Sequence, residues 1–341
     1  MNFVKKTLIF IFILITFSST SSSKQNKENN PKNLADKNEI EKFYESIVGI
    51  SSVAVDNARS LATLGKERSG SGIVIDKEGH ILTIGYLVIE ADTIEITLAN
   101  GDTYPGKVVG YDHATGFAIL KSIVPKKLFP VELGESEKIK ENDVLYILPH
   151  PDEGPGSPTK LVSRRPFAGS WEYFLEKPIY TYPFNPYWQG TPLLNEKGQL
   201  LGIGSLFIRD TIAEGVNSPG NLFVPIELLK PILKDLINEG KRKTKLNPWM
   251  GLTPDDSSGK ISITRVSKDG PAEAAGIKAG DVLLSVNNKE VKTMQDFYKT
   301  AWSLGGPGTK IPINIQREDK NINLIINSID RMDFFIKPKG F

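Results

Sequence analysis

The sequence has 341 residues, of which 39% are hydrophobic and 24% charged, values typical of a soluble globular protein with room for two domains. Its 42 basic residues nearly balance 40 acidic ones, and a formal net charge of +2 argues against a nucleic-acid-binding or membrane-binding surface. Because the sequence contains no cysteine, disulfides, cysteine-linked lipid and thiolate metal sites are excluded. The three histidines are far apart in sequence, so we expect no metal ion and no other cofactor.

The N-terminus has the pattern of a secretory signal. Lys5 and Lys6 precede an apolar run and a stretch of serine and threonine that ends at residue 23. The run is shorter than the ~20 apolar residues that a membrane-spanning helix needs. We therefore predict a signal peptide at 1–23 and a periplasmic location, with an uncleaved N-terminal membrane anchor as the alternative. The polar segment 24–37 predicts a disordered start of the mature chain.

Short β segments dominate the next part of the chain. Apolar residues have helical spacing from residue 38, and 57–69 lacks apolar periodicity, so we expect a surface loop there. Apolar segments then alternate with Gly and Asn or Asp turns, which predicts an all-β barrel or sandwich. An apolar stripe predicts a closing helix at 226–238, with Gly240 just past its end.

A basic segment separates this region from a second unit. The run Lys241 to Lys245 predicts a solvated linker at 239–245 rather than a binding patch. The unit that follows, 246–335, mixes helical and strand patterns, which predicts an α+β domain. The expected strands are 261–266, 282–286, 311–316 and 322–326, and the expected helices are 270–276 and 294–304.

The second unit carries the clearest motif. Gly270-Pro271-Ala272 is followed at 275–281 by Ala-Gly-Ile-Lys-Ala-Gly-Asp, and together they resemble the PDZ domains of bacterial HtrA/DegP-type proteases. The resemblance implies that the partner is a C-terminal or unfolded peptide segment of another protein. Backbone N–H groups of the loop 248–252 would hold the peptide carboxylate, while the peptide adds a strand to the sheet edge.

Six residues are the candidate peptide-binding positions that this resemblance implies. Phe297 and Ala301 have helical spacing and either line the groove or belong to the ordinary core. The full candidate set is Trp249, Met250, Gly251, Leu252, Phe297 and Ala301.

The first unit, over 38–238, resembles the trypsin-like domain of the same family. The segment 69–75, Ser-Gly-Ser-Gly-Ile-Val-Ile, resembles its Gly-Ser-Gly strand. The segments 190–195 and 198–203 resemble the region that follows the nucleophile. The implied fold class is mainly β, with a trypsin-like double β-barrel followed by an α+β PDZ domain.

The three triad positions of that family fall on Tyr86, Gly116 and Gln189. Serine proteolysis needs a nucleophile, a base with a pKa near 7 and an orienting carboxylate. Tyrosine titrates near 10, glycine has no carboxylate, and an amide is not an acyl-transfer nucleophile. The resemblance implies descent from serine endopeptidases, while these residues predict a catalytically inactive pseudoprotease.

A triad built from other residues is the alternative prediction. All three of its parts would have to relocate together, although triads do recur in new sequence orders. Asp112 is better explained as a turn cap, and Trp188 and Thr191 indicate a changed oxyanion loop. The candidates for a relocated triad are His80, His113, His150, Asp112, Ser170 and Ser205.

Two aromatic groups have open interpretations. Phe184, Tyr187 and Trp188, among Pro183, Pro186 and Pro192, either fill the old cleft or form a binding surface, and packing is favoured. Family members commonly form trimers through N-terminal aromatics, so Phe43 and Tyr44 imply a homotrimer or a mixed oligomer. The pair is explained equally well as the buried face of a helix.

Three functions are compatible with these patterns. The first is a non-catalytic, peptide-binding factor for quality control or scaffolding in the bacterial envelope. The second is an active serine-type endopeptidase with relocated catalytic residues. The third is a regulatory subunit that joins active relatives in mixed oligomers, and none of the three has a nucleic-acid partner.

Overall fold

The computed structural model describes residues 43–124, 126, 128–141 and 143–337, and these belong to one compact unit. The signal peptide expected at 1–23 and the disordered segment expected at 24–37 lie outside the described residues. Among the helices of the described part, none has the length and apolarity required to cross a bilayer.

Six strands close the first barrel, in the order β1-β2-β3-β6-β5-β4. Apolar side chains fill it because alternate positions of each strand point inward, and Ile47, Ile73, Ile81 and Phe117 are all fully buried. The strands are β1 (Ile47–Ala54), β2 (Glu67–Val74), β3 (His80–Ile84), β4 (Ala91–Thr97), β5 (Thr103–Tyr111) and β6 (Phe117–Ser122).

The expected surface loop at 57–69 is more ordered than its sequence predicts. It contains the short helix α1 (Leu61–Leu64), and β2 already begins at Glu67, opposite Val53 of β1. The Arg68 side chain is buried and donates from Nη1 to the carbonyl of Ile89 at 2.6 Å. Apolar periodicity does not mark the start of this strand, because a buried arginine and two glycines occupy its first inward positions.

The second barrel also has six strands, in the order β11-β14-β13-β12-β7-β8. A separate two-stranded hairpin, β9 (Phe167–Gly169) and β10 (Tyr173–Leu175), interrupts the sequence between its strands. The barrel strands are β7 (Leu145–Ile147), β8 (Ser157–Ser163), β11 (Ile179–Tyr182), β12 (Pro192–Asn195), β13 (Leu200–Ile208) and β14 (Gly220–Pro225).

The predicted closing helix at 226–238 is divided in two. A 3-10 helix spans Ile226–Leu228, and α2 spans Leu233–Glu239. Pro231 separates them, because proline lacks a backbone N–H and restricts the residue before it. Gly240 ends α2 in the left-handed conformation, as the sequence predicts. Two further 3-10 helices are Gly85–Leu87 and Ser136–Lys138.

The basic segment after α2 contacts the first barrel. Arg242 Nη2 donates to Asp112 Oδ2 at 2.9 Å, and its Nε lies 2.7 Å from Oδ1. The Asp112 side chain is only 3% exposed and also accepts from the Thr115 N–H. The predicted solvated linker is therefore anchored at Arg242, whereas Lys243 pairs with Glu239 at the surface.

The C-terminal part is a sheet in the order β15-β16-β17-β19-β20, with β18 paired to β17. β15 is an edge strand of this α+β unit. Its strands are β15 (Leu252–Asp255), β16 (Ile261–Val266), β17 (Val282–Val286), β18 (Lys289–Glu290), β19 (Lys310–Arg317) and β20 (Lys320–Asn327). Its helices are α3 (Pro271–Ala274), α4 (Met294–Trp302) and α5 (Arg331–Phe334).

The β9–β10 hairpin contacts both the barrels and the C-terminal sheet. Tyr173 and Leu175 are 3% exposed and belong to the core that includes the first barrel. Phe174, between them, packs with Ala168 against the core of the C-terminal sheet. Successive side chains of a strand point to opposite faces, so one short hairpin joins two hydrophobic cores.

Candidate functional site

All three triad positions line one large cavity of about 1290 Å³. The two barrels, the β9–β10 hairpin and the C-terminal sheet all contribute to its wall. Besides Tyr86, Gly116 and Gln189, the lining includes Trp171, Trp188, Ser205, Thr253, Arg265 and Arg331. The structure thus brings the predicted catalytic positions together in the lining of one cleft.

Tyr86 occupies the histidine position as a hydrogen-bond donor. Its hydroxyl donates to the carbonyl of Ser205 at 3.1 Å. Burial raises the pKa of Tyr86 well above its usual value of 10.0. A phenol that remains protonated at neutral pH is unable to accept a proton from a nucleophile.

Gly116, at the aspartate position, lies in a left-handed turn with φ of 81°. Its N–H donates to the carbonyl of Asp112 at 2.8 Å, and its carbonyl accepts from the Gly85 N–H at 2.6 Å. A Cβ at this position would lie 3.2 Å from Ile84 Cδ1 and 3.6 Å from the Tyr173 hydroxyl. The turn therefore favours glycine and leaves little room for a carboxylate.

The loop around Gln189 uses one of its oxyanion-hole positions for internal bonding. In trypsin-like proteases the N–H of the nucleophile and that of the residue two before it bind the oxyanion. The second position falls on Tyr187, whose N–H donates to Asn185 Oδ1 at 2.9 Å. The Gln189 carbonyl accepts from the Ser71 N–H at 2.8 Å, which fixes the loop against β2.

Of the three histidines, only His113 lines the cavity. His80 pairs with Asp76 at 2.6 Å at the start of β3. His150 is 2% exposed, with Nε2 3.2 Å from the Leu98 carbonyl and Nδ1 accepting from the Asp152 N–H. Both of these histidines have structural bonding partners outside the cleft.

His113 contacts a cation instead of a serine. Its Nε2 lies 2.8 Å from Nη1 of Arg331. Burial, reinforced by the Arg331 charge, lowers the pKa of His113 well below 6.5. Ser170 and Ser205 also line the cavity, but within the described ranges neither hydroxyl forms a hydrogen bond to His113. Asp112 caps its turn through Thr115, as the sequence indicates.

The aromatic residues near the cleft are only partly covered. Trp188 lines the cavity, and its ring contacts Phe184 and Phe207 at centroid distances of 5.8 and 6.3 Å. Phe184 and Phe207 remain 36% and 41% exposed. Tyr187 packs against Gly154, where a Cβ would come within 2.2 Å of the ring.

Phe43 and Tyr44 pack on their own chain. The Phe43 ring lies against Gly198, whose Cβ would come within 2.1 Å of it. Tyr44 packs beside Gly156, and both rings contact the core that includes the first barrel.

The loop 248–252 presents three consecutive backbone N–H groups to a carboxylate of the same chain. Met250 N–H donates to Glu172 Oε2 at 2.9 Å. Gly251 and Leu252 N–H groups donate to Oε1 at 2.6 and 2.9 Å. Gly251 has a φ of 83°, which turns the backbone so that these groups converge.

The other predicted peptide-binding residues are buried around this loop. Phe297 and Ala301 are both fully buried in the core of the C-terminal sheet. Trp249 is 5% exposed, with its ring 4.4 Å from that of Phe334. Met250 is fully buried, so the loop offers backbone rather than side-chain atoms to its ligand.

Sequence reasoning did not identify Glu172, Tyr298 or Arg331 as parts of this site. Glu172 lies in the hairpin turn, 78 residues before Met250, and no local motif marks it. The described residues contain no group of three or more His, Asp or Glu side chains arranged to hold a metal ion.

Comparisons with known proteins agree with this architecture. Residues 70–203 match the trypsin-like peptidase domain family, and residues 248–327 match the PDZ domain family. A double β-barrel followed by a PDZ domain defines the class of the protein. Its relatives are named as DegS and DegP-like serine endoproteases, and its structural neighbours are HtrA-type proteases, so the predicted fold and the predicted resemblance to this family are confirmed.

Several relatives are similar over most of the chain. Serine endoprotease DegS of Haemophilus influenzae is 29% identical over 267 residues, which is 75% of either chain. Serine protease Do-like HtrB of Bacillus subtilis is 26% identical, over 86% of this chain and 70% of the relative. A probable periplasmic serine endoprotease DegP-like of Chlamydia trachomatis is 26% identical, and this chain spans only 52% of its length.

Solved structures support the fold. The serine endoprotease from Yersinia pestis has a TM-score of 0.51 at 22% identity, over 90% of this chain and 100% of the other. The HtrA-type protease AlgW with decapeptide has a TM-score of 0.52 at 21% identity, over 89% of this chain and 100% of the other.

Proposed function

We propose that this HtrA-type protein is a pseudoprotease that binds peptides through its PDZ domain and acts in quality control or as a scaffold in the bacterial envelope. Export is part of the proposal, supported by the signal pattern at 1–23 and by relatives named periplasmic. The bound partner would be a C-terminal or unfolded segment of another protein. The structure of the HtrA-type protease AlgW with decapeptide supports a peptide as ligand.

One observation carries the proposed loss of catalysis. The three triad positions line a single cleft, but none of the three residues at these positions supplies a base, a carboxylate or a nucleophile. The relocated-triad alternative receives little support, because burial, together with the Arg331 charge, holds the pKa of His113 well below its usual value. A general base is most effective when its pKa lies near the working pH.

The proposal predicts no turnover of unfolded casein. The purified chain, incubated with dye-labelled casein at neutral pH, should release fragments no faster than the buffer, while an active DegP-like relative serves as positive control. Gln189→Ala and His113→Ala should leave this background unchanged. Turnover that either substitution abolishes would refute an inactive protein, and loss with His113→Ala alone would support the relocated site.

Rebuilding the triad is expected to fail. The triple variant Tyr86→His, Gly116→Asp, Gln189→Ser should remain at least about a hundredfold below an active DegP-like relative in kcat/KM on casein, the effect of one missing oxyanion donor. The Tyr187 N–H still donates to Asn185, and position 116 still has a left-handed backbone. Circular dichroism must show a native fold, and activity equal to that of the relative would contradict this prediction.

A further inference from the structure

The carboxylate-binding loop of the PDZ domain is filled by a side chain of the same molecule. We propose that Glu172, in the turn of the β9–β10 hairpin, is an intramolecular ligand of the loop 248–252, and that the C-terminal carboxylate of a partner binds there only after Glu172 has left. This inference rests on the proposed peptide-binding function and adds the competitor that a peptide has to displace.

The loop binds the Glu172 carboxylate through the same kind of hydrogen bonds that would hold the C-terminal carboxylate of a peptide. The N–H groups of Met250, Gly251 and Leu252 all donate to the two oxygens of the Glu172 carboxylate, at 2.6–2.9 Å. Hydrogen bonds to an ionised oxygen are among the stronger ones in proteins. Each N–H is a single donor, so two carboxylates are unable to occupy the loop together.

The hairpin is held so that Glu172 enters the loop. Glu172 is 3% exposed and has a φ of 59°, a strained conformation for a residue with a side chain. Its N–H donates to the Tyr298 hydroxyl at 3.2 Å, and that hydroxyl donates to the Gly169 carbonyl at 2.7 Å. Tyr298 of α4 therefore fixes both sides of the turn.

The same hairpin covers the α4 side of the peptide groove. Phe174 and Ala168 pack against the PDZ core that contains Phe297 and Ala301. The ammonium of Lys299 lies 5.1 Å from the centre of the Phe174 ring. Within the described part of the chain, the outer edge of β15 has no strand partner. An incoming peptide therefore finds the strand edge available, while Glu172 of the hairpin occupies the N–H groups that would hold the peptide carboxylate.

Protonation of Glu172 should alter this competition. Burial raises the pKa of Glu172 to about 7, although the three N–H groups and Arg331 act in the opposite direction. Tyr298 and His113 are the other titratable groups that face it. A carboxyl whose pKa is raised by docking docks more tightly when protonated, so docking weakens as pH rises towards 7. Peptide affinity should then increase by about tenfold between pH 6 and pH 8.

The test measures peptide binding to the full chain. The probe is a set of dye-labelled decapeptides with a free carboxylate after Val, Leu or Phe, each paired with its C-terminal amide, titrated by fluorescence anisotropy. Glu172→Ala is expected to lower Kd by at least about tenfold at pH 6, for the free acids only. Glu176→Ala, an exposed acidic residue after the same hairpin, serves as the matched control and should bind like wild type.

A second measurement separates the two proposals. In amide NMR spectra of the wild type, the N–H signals of Met250, Gly251 and Leu252 should shift with pH. Their common midpoint should lie near pH 7, because burial raises the pKa of Glu172 to about 7. In the Glu172→Gln variant this pH-dependent shift should be absent. Binding equally tight in wild type and Glu172→Ala, or identical titrations in wild type and Glu172→Gln, would overturn the internal ligand. The absence of binding in every variant, with the NMR shift present, would refute only the proposed peptide-binding function.

Discussion

Replacing Asp112 with alanine should lower the free energy of unfolding by about 3–5 kcal/mol, the effect of removing one partner from a buried ion pair. The Asp112 carboxylate is 3% exposed and interacts with Arg242, whose side chain is 13% exposed. It also accepts from the N–H and the hydroxyl of Thr115. The substitution leaves the guanidinium without its counterion and the turn without its cap, and urea unfolding followed by circular dichroism would measure the loss.

An exposed ion pair provides the matched control. Asp56 pairs with Lys66, and the Asp56 side chain is 91% exposed. The substitution Asp56→Ala should therefore leave the urea midpoint nearly unchanged. The double variant Asp112→Ala, Arg242→Met should be more stable than Asp112→Ala alone, because no buried charge remains unpaired. A midpoint for Asp112→Ala that equals the Asp56→Ala value would contradict the stabilising role of the pair.

Gly204→Ala should be among the most damaging single-methyl additions, with a loss of about 3 kcal/mol or more in stability. A Cβ on Gly204 would lie 2.1 Å from the Trp188 carbonyl oxygen and 3.2 Å from that of Thr191. Both atoms are backbone, and Gly204 also exchanges hydrogen bonds with Gly190 and Thr191. Neither carbonyl is able to move away without disrupting the loop around Gln189.

Gly306→Ala tests whether this effect is specific. Its Cβ would meet only the Leu246 carbonyl oxygen at 3.4 Å, an ordinary contact. We expect its urea midpoint to stay within experimental error of wild type. If Gly204→Ala unfolds at the same urea concentration as Gly306→Ala, the close approach of Gly204 to the loop has been misjudged.

The fold was largely predictable because its signals are local. Alternating apolar residues and regular turns identify most barrel strands, and the Gly-Pro-Ala motif around Pro271 marks the start of α3. The exceptions have tertiary causes. β2 extends back to Glu67 because β1 supplies hydrogen-bond partners, and the buried Arg68 interrupts the apolar periodicity at the start of the strand. Pro231 divides the closing helix although the apolar stripe continues through it.

The candidate site was predictable only in part. The triad positions follow from neighbouring motifs, since each lies within a few residues of a strand with a distinctive sequence. The loop 248–252 was identified in the same way. Glu172 was not, because its contact depends on a hairpin turn that reaches another domain, and the contacts of Arg331 with His113 likewise join distant segments. Such pairs have no sequence spacing that predicts them.

The position of the tryptophans has a spectroscopic consequence. The chain contains only four, and three of them surround the Glu172 contact. Trp171 precedes Glu172 in the turn, Trp249 leads into the loop that binds it, and Trp302 stacks on Tyr298 at a centroid distance of 5.2 Å. Intrinsic emission should therefore respond when the hairpin leaves the loop, even if both barrels stay folded. Tryptophan fluorescence of the unlabelled protein should therefore report whether the β9–β10 hairpin is bound to the loop 248–252.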